Sequence, residues 1–159
     1  MDTMFPTKIL IASDDSDTAA LAARVAGEIA EKTGSELHVV FVEPVVAFAA
    51  GQRIYEELYD EVKKAAQEIL DEEVKRIEET GATVAQAHLR LGNADEEIIA
   101  LSDELDSHLI IMGVRGSGPL RRLLGSTSDS VLRHANCPVM VVRSPRESRG
   151  RHGSRQGGG

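Results

Sequence analysis

Tryptophan is absent from this chain, and two tyrosines and three phenylalanines bring aromatic residues to only 3% of its 159 positions. The core must therefore be built from Val, Ile, Leu and Ala, and the scattered rings provide no stacking platform for single-stranded nucleic acid. Cysteine is nearly absent too. Cys137 stands alone, which excludes an intramolecular disulfide and a cysteine-based zinc cage. Such usage fits a reducing compartment, and a cytoplasmic location is expected. Just before Pro138 and an apolar run, Cys137 reads as a small packed hydrophobe rather than a redox centre. No apolar stretch approaches the roughly 20 residues of a membrane helix, so neither a membrane span nor a secretory leader is expected. The histidines, at 38, 88, 108, 134 and 152, never fall three or four apart, so no helix offers a metal a histidine pair.

The common phosphate and nucleophile signatures are missing as well. No glycine is followed by lysine, which excludes the glycine-lysine-serine/threonine phosphate loop. Gly116-Ser-Gly118 lacks the third glycine of the dinucleotide fingerprint, and it follows the fourth apolar run rather than the first. No Gly-x-Ser-x-Gly elbow supports a serine hydrolase.

What the chain does carry is concentrated between Leu109 and Arg143. The apolar run Leu109-Ile-Ile-Met-Gly113 ends at a glycine, a cationic glycine-rich loop follows, and Gly125-Ser-Thr-Ser128 opens a helix. Net charge is −8, yet no acidic side chain lies between Asp106 and Asp129, where Arg115, Arg121 and Arg122 all fall. Backbone amides at a helix start, with no side chain in the way, suit a phosphate group, so nucleotide binding leads the functional readings. The plainer alternatives are that the arginines only face water and that Ser126, Thr127 and Ser128 only cap the helix.

In chain order, Lys8–Ser13 is a short apolar run fit for a buried parallel strand. Asp14, Asp15, Ser16 and Asp17 supply caps for a helix striped by Leu21, Val25 and Ile29 and ended at Gly34. Leu37–Val42 is the second strand, and Glu43–Gly51 is a loop placed to cover a pocket. The longest helix is expected from Gln52 to Thr80, with Ile54, Leu58, Val62, Ala65, Ile69, Val74 and Ile77 on one face and Gly81 as its cap. Its acidic residues read as a solvated face. Thr83–Leu91 alternates imperfectly as a third strand. Gly92-Asn-Ala94 turns into a helix marked by Ile98, Ile99, Leu101 and Leu105. His108–Met112 forms the fourth strand, Thr127–Ala135 the last helix and Val139–Val142 the fifth strand. Strands alternating with helices imply an α/β single domain with an open doubly wound parallel five-stranded sheet, helices on both faces. In such sheets ligands bind beyond the carboxyl ends of the strands, where Asp14, Val42, Gly92 and Gly113 fall.

Beyond Arg143 the composition changes. Residues 144–159 carry four arginines against one glutamate, many glycines and no core-forming residue, so a disordered Arg/Gly-rich tail is expected to follow a folded domain at 1–143. Removing the tail's net +3 from −8 leaves the domain at −11, which argues against nucleic acid as its partner.

Taken in order, several segments together resemble the universal stress protein family, within the adenine-nucleotide alpha hydrolase-like fold. They are Ile9-Leu-Ile-Ala-Ser-Asp14-Asp-Ser16, Leu37-His-Val-Val-Phe-Val42, Gly92-Asn-Ala94, Ile110-Ile-Met-Gly113-Val-Arg-Gly116, Gly125-Ser126 and Cys137-Pro-Val-Met-Val-Val142. The likeness spans about residues 7 to 143. It implies strand order 3-2-1-4-5 and a homodimer. The family's ATP-binding branch carries Gly-x-x-Gly, a spacer of nine, then Gly with Ser or Thr. Here Gly113 and Gly116 match the first pair, and Gly125 with Ser126 the second. By that correspondence Asp14 and the backbone of Val42 would hold adenine, Gly113 and Gly116 would lie along ribose and phosphate, and Gly125, Ser126, Thr127 and Ser128 would take phosphate oxygens.

Two departures stand out. The spacer from Gly116 to Gly125 is eight residues, and Asp15 replaces the glycine usual after the first-strand aspartate. Asp15 puts a second negative charge near the adenine site, where it either opposes the nucleotide or helps hold Mg2+. Each site residue also has a bland reading: Asp14 as a helix cap, Gly113 and Gly116 as a tight strand exit, and Gly92 as a turn.

The function expected is an ATP-binding regulator or switch in stress response. The set lacks a lysine on the phosphates and a base to activate water, so efficient catalysis is not expected. The alternative is a non-nucleotide-binding interaction module that dimerises through Val139–Val142 as an edge strand. An adenylating enzyme would need a phosphate loop after the first strand, and Ser13–Asp17 is acidic and lacks glycine.

Overall fold

Residues 7–13, 17–44, 52–114 and 125–143 are described by a computed structural model of the chain. Among them strand and helix alternate as β1 (Lys8–Ser13), α1 (Asp17–Thr33), β2 (Glu36–Glu43), α2 (Gln52–Glu78), β3 (Val84–Leu91), α3 (Ala94–Leu105), β4 (Leu109–Gly113), α4 (Ser126–His134) and β5 (Val139–Val142). The five strands form one sheet in the order β3-β2-β1-β4-β5, with every neighbouring pair parallel. Parallel neighbours require crossovers, and the amphipathic helices supply them.

The central strands are buried on both faces, which is why they read as continuous apolar runs rather than alternating ones. Ile9, Ile11, Leu37, Val39 and Ile111 join Ala22, Ala23 and Ala26 of α1 and Ala66, Leu70 and Ile77 of α2 in one layer. Leu10, Ala12, Val40, Ile110 and Met112 join Ile98 and Leu101 of α3 and Val131 of α4 in the other. Small alanines let α1 lie close on the sheet, and Phe41 of β2 adds a ring to this otherwise aliphatic layer.

The long helix is rotated from its expected face. Ala65 is exposed, whereas Ala66 is buried and begins a stripe through Leu70, Glu73 and Ile77. A continuous i, i+4, i+7, i+11 line meets the sheet, and Val62, Ile69 and Val74 lie along its margin. The helix also stops two residues early, because Thr80 and Gly81 turn back to the Ile77 and Glu78 carbonyls and Gly81 takes φ +96°. At the other end of the sheet, β4 starts one residue late and continues through Gly113, which still pairs with Val142. The last helix likewise begins one residue early, at Ser126. No helix among the described residues is long and apolar enough to cross a membrane.

Candidate functional site

Because all five strands are parallel, their carboxyl ends share one edge. Strand order reverses between β1 and β4: β2 and β3 extend to one side of β1, β4 and β5 to the other. A crevice opens at such a switch point. Each helix that follows a strand starts at this edge, so the N-termini of α1 and α4 both face it.

Ser13 ends β1 there. It is buried, and its hydroxyl makes no hydrogen bond among the described residues. Gly113 ends β4 beside it, and its lack of a side chain has a packing cause. A Cβ at that position would stand 2.9 Å from the backbone carbon and oxygen of Thr18. The Thr18 hydroxyl donates to the Val114 carbonyl at 3.0 Å, clamping the first turn of α1 to the exit of β4. Gly113 therefore serves the close approach of helix to strand, the plainer of its two sequence readings. Val42 lies one position beyond the last β1–β2 pair, Ser13↔Phe41, while it still pairs with Arg90 of β3.

Gly125 behaves differently. It is the N-cap of α4 with φ −64° and ψ 161°, an extended conformation open to any residue, and no side chain caps the helix. A Cβ built on it meets nothing within 4 Å. Neither backbone strain nor packing among the described residues demands a glycine there. Ser126 is exposed, Thr127 half-buried and Ser128 buried in the turn that follows. Together they place backbone amides and hydroxyls at the positive end of a helix dipole. Asp129 sits in that turn, but its carboxylate is directed along the helix to Arg133, at 3.0 Å.

The α4 helix is anchored from below. Ser130 Oγ donates to Asp95 Oδ2 of α3 at 2.7 Å, and that hydrogen bond is the main reason the Asp95 carboxyl lies below the usual carboxylate range. Asn136 Nδ2 donates to both carboxylate oxygens of Asp103, at 3.0 and 3.2 Å, fixing the turn into β5. Cys137 is half-buried against the second core layer, 3.6 Å from the Ser102 hydroxyl, as a packed small side chain should be. Among the described residues no group of three His, Cys, Asp or Glu side chains is placed to hold a metal.

Of the expected site, Val42, Gly113, Gly125, Ser126, Thr127 and Ser128 fall on this edge. Asp14, Asp15, Gly116 and the three loop arginines lie outside the described residues, as do residues 45–51 of the loop expected at Glu43–Gly51 and the tail. Sequence reasoning passed over Ser13 and Thr18. A hydroxyl closing an apolar run was the available signal for Ser13. Nothing local in the sequence announced the link from Thr18 to Val114.

A family model described as the universal stress protein family matches residues 6–143. Universal stress protein MJ0531 of Methanocaldococcus jannaschii is 33% identical over 143 residues, covering 88% of this chain and 84% of the relative. The structure of the universal stress protein from Archaeoglobus fulgidus in complex with dAMP is similar with a TM-score of 0.65 at 27% identity, covering 87% of this chain and 99% of that one. A universal stress protein in complex with cAMP superposes with a TM-score of 0.69 at 26% identity, over 89% of this chain and 99% of that one.

Proposed function

This chain belongs to the universal stress protein family, and on that premise we propose that it binds ATP, with Mg2+, as a nucleotide-dependent regulator in stress response. The observation that carries the reading is the open, uncapped glycine at the start of α4. An ordinary helix start would gain stability from a Ser, Thr, Asp or Asn cap. Here a backbone that tolerates any side chain leaves the first turn without a side-chain cap among the described residues, at the ligand edge of the sheet. A phosphate supplies the missing acceptor. Relatives in complex with dAMP and cAMP support an adenine nucleotide as the ligand class.

In this reading Gly125, Ser126, Thr127 and Ser128 hold phosphate oxygens, and Gly116 lies along the same groups. Asp14 and the Val42 backbone receive adenine. Gly113 contributes by bringing the loop exit onto α1. The nucleotide acts through occupancy rather than turnover, since no lysine or base is assigned to the phosphates. The protein works in the cytoplasm as a homodimer. Met140 of β5 and Leu132 of α4, both exposed, mark the edge where a second copy would pair. Residues 144–159 follow the folded domain as a basic tail.

Calorimetric titration of nucleotide-stripped protein with ATP, with and without Mg2+, tests this. Micromolar binding, about −8 kcal/mol, is expected. Absence of binding would sink the reading and leave the dimer surface as the place of function.

A further inference from the structure

Far from the nucleotide edge, β2 and β3 bring two histidines into contact. His38 is buried within β2, and its Nδ1 lies 3.0 Å from Nε2 of His88 on edge strand β3. The rings meet edge to edge rather than face to face. Their centroids are 5.3 Å apart, which is the nitrogen contact plus a ring radius on each side, and their planes differ by 25°. Two nitrogens aimed at one another share a single proton. Nitrogens chelating one tetrahedral metal stand about 3.3 Å apart with their lone pairs converging on it rather than aimed at each other, so the geometry is that of a proton bridge and not a chelate.

A register shift creates this pair. Leu37 pairs with Val84, but His38 pairs with Gln86, so Ala85 is an extra residue in β3. Without it His88 would stand opposite Phe41 and face the α1/α2 layer. With it His88 stands opposite Val40, on the same face as His38. The imperfect alternation of this strand in the sequence has the same origin.

Every charged group facing the pair bears on its proton. Glu36 of β2 places Oε1 3.4 Å from His38 Nε2, and its other oxygen is 4.0 Å from Lys8 of β1. That carboxylate favours a proton on His38 Nε2, which makes Nδ1 the acceptor and His88 Nε2–H the donor. Arg90 of β3 is engaged by Glu97 and Glu104 of α3.

We propose that His38 and His88 form a proton-sharing latch that holds edge strand β3 on β2 at neutral pH and releases it on acidification. An acid proton on the outer nitrogen of His88 creates a charge that burial and the Arg90 cation both oppose. Burial, then the charge of His38, then that of Arg90 lower the His88 pKa from its ordinary value of 6.5, with Glu104 opposing. A histidine so shifted binds its proton more readily when unfolded, so its contribution to stability falls as pH drops below that value.

Hydrogen exchange on the full chain without nucleotide, at pH 7.5 and 5.5 and corrected for intrinsic rates, tests the latch. The amides of Val84–His88 are expected to lose protection several-fold relative to β1 and β4 at the lower pH. His88→Gln keeps a donor toward His38 without titrating, so its β3 protection should be the same at both pH values. Equal protection in the wild type, or an equal loss in the variant, overturns the proposal. Histidine NMR titration of the unmodified protein gives a second reading. A His88 midpoint below 6.5 supports the latch, and one at or above 6.5 refutes it.

Discussion

Replacing Gly125 with valine separates the two readings of the α4 start. Among the described residues no atom beyond the chain neighbours lies within 4 Å of a new Cβ, and φ of −64° suits an L-residue. The folded protein therefore pays only the poorer capping of valine, about 1 kcal/mol, partly offset by about 0.4–1 kcal/mol from a stiffer unfolded chain. For a chain of this size the melting temperature should move by no more than roughly 4 °C. Binding should respond far more. The valine methyls fill the space above the first-turn amides, and hydrogen bonds to a charged phosphate contribute about 1.5–3 kcal/mol each. Losing two of them weakens ATP at least about 100-fold. Calorimetry with ATP, beside thermal melts of the nucleotide-free protein, reads both quantities. Unchanged affinity in a folded variant would falsify the phosphate site. A collapsed melting temperature would instead show that the space is not open.

Gly113→Ala should behave in the opposite way, because its Cβ meets the Thr18 backbone at 2.9 Å. A loss of about 1–3 kcal/mol in urea unfolding is expected, and an unaltered midpoint would contradict the packing role. Ser130→Ala removes the donor that lowers the Asp95 pKa, and about 0.5–1.5 kcal/mol at pH 7 should go with it. A depressed carboxylate stabilises the fold above its unfolded pKa and ceases to as pH falls through its folded one. The gap between wild type and variant should accordingly close in strong acid, and a gap constant with pH would remove Asp95 as the cause. At β5, Val141 packs into the second core layer, so an aspartate there would damage the fold itself. Met140→Asp, at a position 36% exposed, is the cleaner probe and should shift the sedimentation profile from dimer to monomer. No shift would take β5 out of the interface.

The sequence by itself determined the alternation of strand and helix, the parallel sheet and the edge at which loops, glycines and hydroxyls gather. These follow from local period and turn chemistry, which need only a few neighbouring residues: Gly34 and Gly81 end their helices, and Lys8–Ser13 is apolar on both faces. Strand order came through family resemblance and not through periodicity. Tertiary structure decided the rest. Only the packing of α2 on the sheet selects Ala66 over Ala65 and buries Glu73. Only the approach of Thr18 explains Gly113, and nothing among the described residues crowds Gly125 in the same way. The pairing of His38 with His88 depends on one extra residue in β3, fifty positions from its partner. A one-residue change of register turns a side chain to the opposite face of the sheet, and register is settled by the summed packing of both layers rather than by any local stretch of chain.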